Sequence, residues 1–189
     1  MDLNKALSLV KPKLKEERYE HTKRVVTTAL SLAGKYKVDE HKVMLAAAFH
    51  DYAKNMPKEE LRSYIELDEC LPQRLLSFHH ELWHGPVGAQ LVKRDIGITD
   101  EEVLTAIRFH TTGRAQMNDV EKVVFLADYI EPGRKFPGID EARETADRDL
   151  NRGCLYALKN TITFLISKGQ PIYPDTFHAY NDLLKTTNK

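Results

Sequence analysis

The chain has 189 residues, enough for one domain with a sizeable core. Its 28 Lys and Arg balance 28 Asp and Glu, which leaves no net charge to recruit nucleic acid or an anionic membrane. At 42% hydrophobic and 30% charged residues the composition is that of a globular protein, and no apolar run approaches the ~20 residues of a bilayer span. The opening MDLNKALSLVKPKLKEE is too charged for a secretion signal. Cys70 and Cys154 form no CxxC and read as free, partly buried thiols in a reducing cytoplasm.

The pattern is helical nearly throughout. Val25, Ala29, Leu32 and Tyr36 recur at helical spacing, with His21 one turn earlier on the same face. Asp39 can cap a helix running through Val43, Ala46, Ala47 and Phe49 to His50. Pro57 suits the first turn of a helix with Leu61, Tyr64 and Ile65, and Pro86 the first turn of one with Val87, Leu91 and Val92 that stops near Gly97. Asp100 can cap a helix carrying Val103, Ile107 and His110; Val120, Val124 and Ala127 lead to Asp128. A long helix carries Leu150, Cys154, Leu158, Ile162 and Leu165, and Pro174 opens a last one with Phe177, Tyr180 and Leu184. No stretch alternates as a half-buried strand should. The expected fold is all-α, with many short helices joined irregularly at 54–57, 77–86, 111–118 and 132–140.

Four histidines and two aspartates stand at helix ends or on apolar faces: His21, His50, Asp51, His84, His110 and Asp128. One histidine in such a place is usually a hydrogen-bonded core residue. Six together would strand several unpaired polar groups unless they hold a metal. All are imidazole or carboxylate donors, and none is a thiolate. That set suits a divalent ion that does hydrolysis rather than a structural zinc, and fits iron, manganese, cobalt or zinc. His50 and Asp51 point about 100° apart on a helix but reach one ion if they occupy its last turn. His21, His50, Asp51 and Asp128 then form a first site. Asp51 can bridge to a second ion held by His84 and His110; with a single ion, His84 and His110 contact phosphate instead.

The order H…HD…H…H…D resembles the HD-domain superfamily of metal-dependent phosphohydrolases. The local sequences RYEHTKRVV, HDYAK, ELWHGPVGA, HTTGR and ADYIEPGR, with FPGIDEAR, QPIYPDTF and AYN further on, resemble the YqeK family. The resemblance spans about 18–181 and implies one HD domain over 1–189, its core at about 18–130 and helices at 140–185 packed on it. It further implies symmetrical hydrolysis of diadenosine tetraphosphate to two ADP, with iron the first choice of metal. The expected nucleophile is a metal-bound hydroxide, with Asp51 the catalytic residue that holds the metal. The alternatives are an HD nucleotidase or triphosphohydrolase on another nucleotide, or a non-catalytic nucleotide-binding module.

The expected ligand is a dinucleoside polyphosphate or a nucleoside diphosphate, with no nucleic acid or membrane partner and no oligomeric state readable. Lys54 and Arg134 stand near the candidate metal residues and suit phosphate oxygens, with Arg18 and Arg114 weaker candidates. Thr111 can donate a hydroxyl to phosphate, and Tyr173, in a loop between two prolines, can stack a base. Phe177 and Tyr180 read as core, Trp83 as a packing wall beside His84, and His79 and His80 as neighbours of His84. His41 and His178 read as surface residues. Neither GxGxxG nor GxxxxGK[ST] occurs.

Overall fold

The computed structural model describes residues 1–187. Among these the ordered elements are all helical: α1 (Leu3–Val10), α2 (Glu16–Tyr36), α3 (Glu40–Phe49), α4 (Lys58–Leu67), α5 (His84–Leu91), α6 (Glu101–Phe109), α7 (Asp119–Ile130), α8 (Ile139–Arg148), α9 (Leu150–Ser167) and α10 (Pro174–Thr187). None is long and apolar enough to cross a membrane.

The centre of the fold is α3. Every residue from Val43 to Phe49 is buried, so the helix has no solvent face beyond its first turn. It packs against α1, α2, α6 and α7, whose apolar stripes close around it. Asp39 caps its start by accepting from the His41 and Lys42 N–H groups, as the sequence suggests. The helix ends at His50 because Asp51–Lys54 turn away, with the Tyr52 and Lys54 N–H groups bonding back to the Phe49 and Asp51 carbonyls. A helix buried from Val43 onward therefore delivers its last side chains into the protein interior.

The other helices form a shell. Asp100 caps α6 by accepting from the Glu102 and Val103 N–H groups. Asn118 opens α7 with a capping box: its side chain accepts from the Glu121 N–H at 2.9 Å, and Glu121 accepts from the Asn118 N–H at 2.8 Å. α8 packs on α9, α9 lies along α7, and α10 closes over α9.

The differences from the sequence-based expectation are local. α1 is not anticipated, and α8 falls within the helices expected at 140–185 but has no apolar stripe assigned to it. Pro57 precedes its helix instead of standing in the first turn. The 77–86 connection is more ordered than expected, because 3-10 turns occupy Gln73–Ser77 and His80–Leu82 and α5 starts at His84 itself. A π turn at Val92–Ile96 extends α5 until Gly97, at φ 78°, stops it. Phe177 is 51% exposed and is not core, because the start of α10 turns that side outward. Cys70 is exposed in the loop after α4, while Cys154 is buried.

Arg114 proves to be a structural residue of this shell. Its guanidinium makes a two-pronged pair with Glu121, Nε to Oε1 at 2.6 Å and Nη2 to Oε2 at 2.8 Å. Glu121 is fully buried, so removing its partner strands a charge. Arg114→Ala should cost about 2 kcal/mol, discounted from a fully buried pair because the arginine is one-third exposed. A urea melt checks this.

Candidate metal centre

Helix ends and turns from five parts of the chain bring the six residues together. His21 comes from the second turn of α2, His50 caps the C-terminus of α3, and Asp51 follows it in the turn. His84 is the first residue of α5, His110 caps the C-terminus of α6, and Asp128 lies in the last turn of α7. His21, His50, Asp51, His84 and His110 are all at most 5% exposed.

Asp51 sits in the middle and divides the histidines into two pairs. Its Oδ2 lies 3.3 Å from His50 Nε2 and 3.8 Å from His21 Nε2. Its Oδ1 lies 3.1 Å from His84 Nε2 and 3.8 Å from His110 Nε2. Asp128 Oδ1 approaches His21 Nε2 at 3.0 Å. Donor atoms gather within 4.8 Å of one another in three overlapping sets: His21, His50 and Asp51; His50, His110 and Asp128; Asp51, His84 and His110.

The hydrogen bonds on the far side of each ring show which nitrogen is free. His50 Nδ1 donates to the Ala47 carbonyl at 2.7 Å, and His110 Nδ1 to the Ile107 carbonyl at 2.8 Å. His21 Nδ1 donates to Glu131 Oε1 at 3.1 Å. Each of these rings therefore turns a lone pair on Nε2 inward. The Nε2 atoms of His21 and His50 are buried without a hydrogen-bond partner, although carboxylate oxygens stand close by. The donors converge on shared space rather than on one another. His84 and His110 meet Nε2 to Nε2 at 3.1 Å, an arrangement that needs a proton or a cation between them. Unlike the other three, His84 has a buried Nδ1 with no partner. Inward lone pairs, two carboxylates and orphaned nitrogens are what a set of metal ligands looks like, and the residues fit one or two divalent ions.

The electrostatics agree. Burial would raise the pKa of Asp51, yet His50 and His84 hold it well below the usual carboxylate range. Burial likewise opposes ionisation of Asp128, but His21 and Arg134 outweigh it and keep the group charged. Burial, then His84 and His50, push His110 down to about 3, so it is neutral and ready to ligate. For His50 burial favours the neutral ring, but the charge and hydrogen bond of Asp51 win and raise its pKa above the usual 6.5. A proton on His50 thus competes with metal. Uptake should be complete above that raised pKa and fall as pH drops through it, which equilibrium dialysis at a series of pH values measures.

Glu131, which the sequence reading passed over, holds His21 from behind. It is 2% exposed at the C-cap of α7. Its Oε2 accepts from Arg24 Nε and from the Gly133 N–H, both at 2.6 Å, while Oε1 accepts from His21. Burial works against its charge, but Arg24 and the Gly133 N–H keep it ionised. A signal was available: an acid at a helix C-terminus opposes the helix dipole and needs a partner. Glu131→Gln should weaken metal binding about 10- to 100-fold, read by competition with a chelator.

The HD domain family matches residues 18–133, the stretch that contains all six residues. Bis(5'-nucleosyl)-tetraphosphatase, symmetrical, from Bacillus subtilis is 50% identical over 97% of this chain and 98% of its own. The protein of the same name from Halalkalibacterium halodurans is 53% identical over the same shares. The chain belongs to the YqeK family of HD-domain proteins. A crystal structure from Clostridium acetobutylicum, described as a predicted HD superfamily hydrolase involved in NAD metabolism, has the same fold. Its TM-score is 0.91 at 42% identity, covering 98% of both chains.

In this YqeK-family chain the other candidates are placed unevenly. Arg134 donates to the Asp128 carbonyl at 2.9 Å and to its Oδ1 at 2.6 Å, so it orients that carboxylate. Arg18 Nη1 lies 3.2 Å from Asp51 Oδ2, closer to the centre than the sequence suggests. Lys54 pairs with Glu81 in a cleft that His84 also lines. Thr111 Oγ1 is buried without a partner. Tyr173 is 4% exposed, edge-on to Phe78, with its hydroxyl accepting from Arg74. It lines a separate cleft of about 410 Å³ and is not among the residues lining the clefts at His21 and His84. Trp83 is buried with Nε1 donating to the Leu75 carbonyl, the wall expected beside His84. His79 caps the 3-10 turn before α5, and His80 lines the cleft at His84.

Proposed function

We propose that this chain hydrolyses diadenosine tetraphosphate symmetrically to two ADP, with metal held by His21, His50, Asp51, Asp128, His84 and His110. The observation that carries the reading is the division at Asp51, whose two oxygens each face a different pair of histidine Nε2 atoms. His21, His50, Asp51 Oδ2 and Asp128 would hold one ion; Asp51 Oδ1, His84 and His110 would hold the other. Iron is the first candidate, and manganese, cobalt and zinc suit the same donors. When bound, the ions supply Lewis-acid charge and a water whose pKa falls from 15.7 toward ~7. The relatives named as symmetrical tetraphosphatases support the substrate.

The chain's own residues do the remaining work. Asp51 and Asp128 keep negative charge at the centre, and Glu131 fixes the His21 ring. Arg18 and Arg134, at the carboxylates, and Lys54, beside His84, set positive charge where phosphate oxygens would lie. ADP is a good leaving group once its terminal phosphate is neutralised, so a separate general acid is not required. A single HD domain with the core at 18–130, in a cytoplasmic setting that suits free thiols, completes the reading.

The test is product analysis on a panel of nucleotides with metal-loaded protein. Two ADP per diadenosine tetraphosphate, faster than turnover of any mononucleotide, is expected. ATP plus AMP as products would sink the symmetric reaction. Preferential hydrolysis of a nucleoside triphosphate would favour the nucleotidase alternative, and binding without turnover a non-catalytic module.

A further inference from the structure

Two clefts reach the candidate metal residues from solvent. One, of about 310 Å³, is lined by Arg18, His21 and Arg134. The other, of about 250 Å³, is lined by Lys54 and His84. Lys15 and Asn55 line both and so form their common rim.

Lys15 is held at that rim by its backbone. It occupies the N-cap of α2 in an extended conformation, and its N–H donates to Asn55 Oδ1 at 2.7 Å. The bond ties the entry of α2 to the turn that follows Asp51, so the rim moves with the centre. Most other cleft cations are engaged, Arg18 with Asp51, Arg24 with Glu131, Arg134 with Asp128 and Lys54 with Glu81, while Lys58 lines the His84 cleft alone and does not reach the shared rim. The ammonium of Lys15 makes no ion pair among the described residues. An exposed, unpaired cation on a fixed backbone, between two basic clefts, suits a polyanion that passes from one cleft to the other.

We infer that Lys15 binds the phosphate chain of the substrate where it crosses between the clefts, and that each cleft takes one nucleoside end. This rests on the proposed substrate class and adds its path over the site. A mononucleotide needs a single cleft. A polyphosphate with a nucleoside at each end needs two outlets, with its middle over the metal residues, and symmetric cleavage follows from that placement.

Two measurements on metal-loaded protein decide the matter: steady-state kinetics with diadenosine tetraphosphate, and calorimetric binding of inorganic tripolyphosphate. Lys15→Ala should raise KM and weaken tripolyphosphate binding, each about tenfold, with kcat changed less than about threefold. Lys15→Arg should restore both, and Lys168→Ala, at the exposed far end of α9, serves as a surface-charge control. KM and tripolyphosphate affinity within about twofold of the parent in Lys15→Ala would overturn the inference. If the tetraphosphate is not a substrate, the proposed activity fails while the tripolyphosphate arm still decides Lys15: weakened binding supports its role and unchanged binding removes it.

Discussion

Asp51→Asn protein is expected to fold, lose most of its metal and lose turnover by at least about 10³-fold, since the lowered water pKa departs with the ions. The amide has the shape of the carboxylate, so packing at this 2%-exposed position survives. What changes is charge. Asp51 faces all four Nε2 atoms, with Oδ2 toward His21 and His50 and Oδ1 toward His84 and His110. An amide presents one oxygen and one N–H pair, so one half of the centre meets donors where it needs an acceptor. The ionised carboxylate also sustains the raised pKa of His50. Without it burial favours neutral His50, so the variant gains no new proton competitor, and its metal loss reads out the missing ligand. Elemental analysis and ADP release on the same preparation check the expectation. Full metal content with parental turnover would contradict it.

Gly85→Ala is expected to cost about 2 kcal/mol of stability and about 10²-fold in kcat. Gly85 follows His84 in the first turn of α5, where that helix crosses α6. A Cβ there would lie 2.9 Å from the Arg108 carbonyl, 3.3 Å from the Ile107 carbonyl and 3.4 Å from His110 Nδ1. Two of those atoms are backbone and cannot swing aside. The Ile107 carbonyl is also the acceptor that sets the His110 tautomer. One methyl group therefore pushes on the helix crossing and on the hydrogen bond that aims His110 at Asp51. Stability by thermal melt and kcat together test this, because one contact strains both the crossing and His110, so both should fall. Loss of stability with unchanged kcat would detach the crossing from the centre.

The six residues were visible in the sequence because burying polar side chains at the ends of apolar stripes is costly without a shared purpose. The central elements were visible for a related reason: Asp39 and Asp100 are capping residues placed just before apolar runs, and they cap as expected. The bounds of α8 were hidden because its core stripe is only Ile139, Ala142 and Ala146 amid charged neighbours. α1 was hidden because it is only eight residues long and its stripe buries only Ala6 and Val10. Arg114 shows the limit of proximity along the chain. It stands four residues from His110, yet the buried Glu121 claims it. Lys15 and Asn55 lie 40 residues apart, and no local pattern announces a bond that forms only when α2 and the turn after α3 are brought together.

The measurement that bears most directly on the central claim is a metal titration of chelator-stripped protein with ADP release followed throughout. No turnover is expected at the start. Activity should then rise to a plateau near two ions per chain, with two ADP formed from each diadenosine tetraphosphate. Undiminished turnover in the stripped protein, or a plateau with products other than ADP, would contradict it.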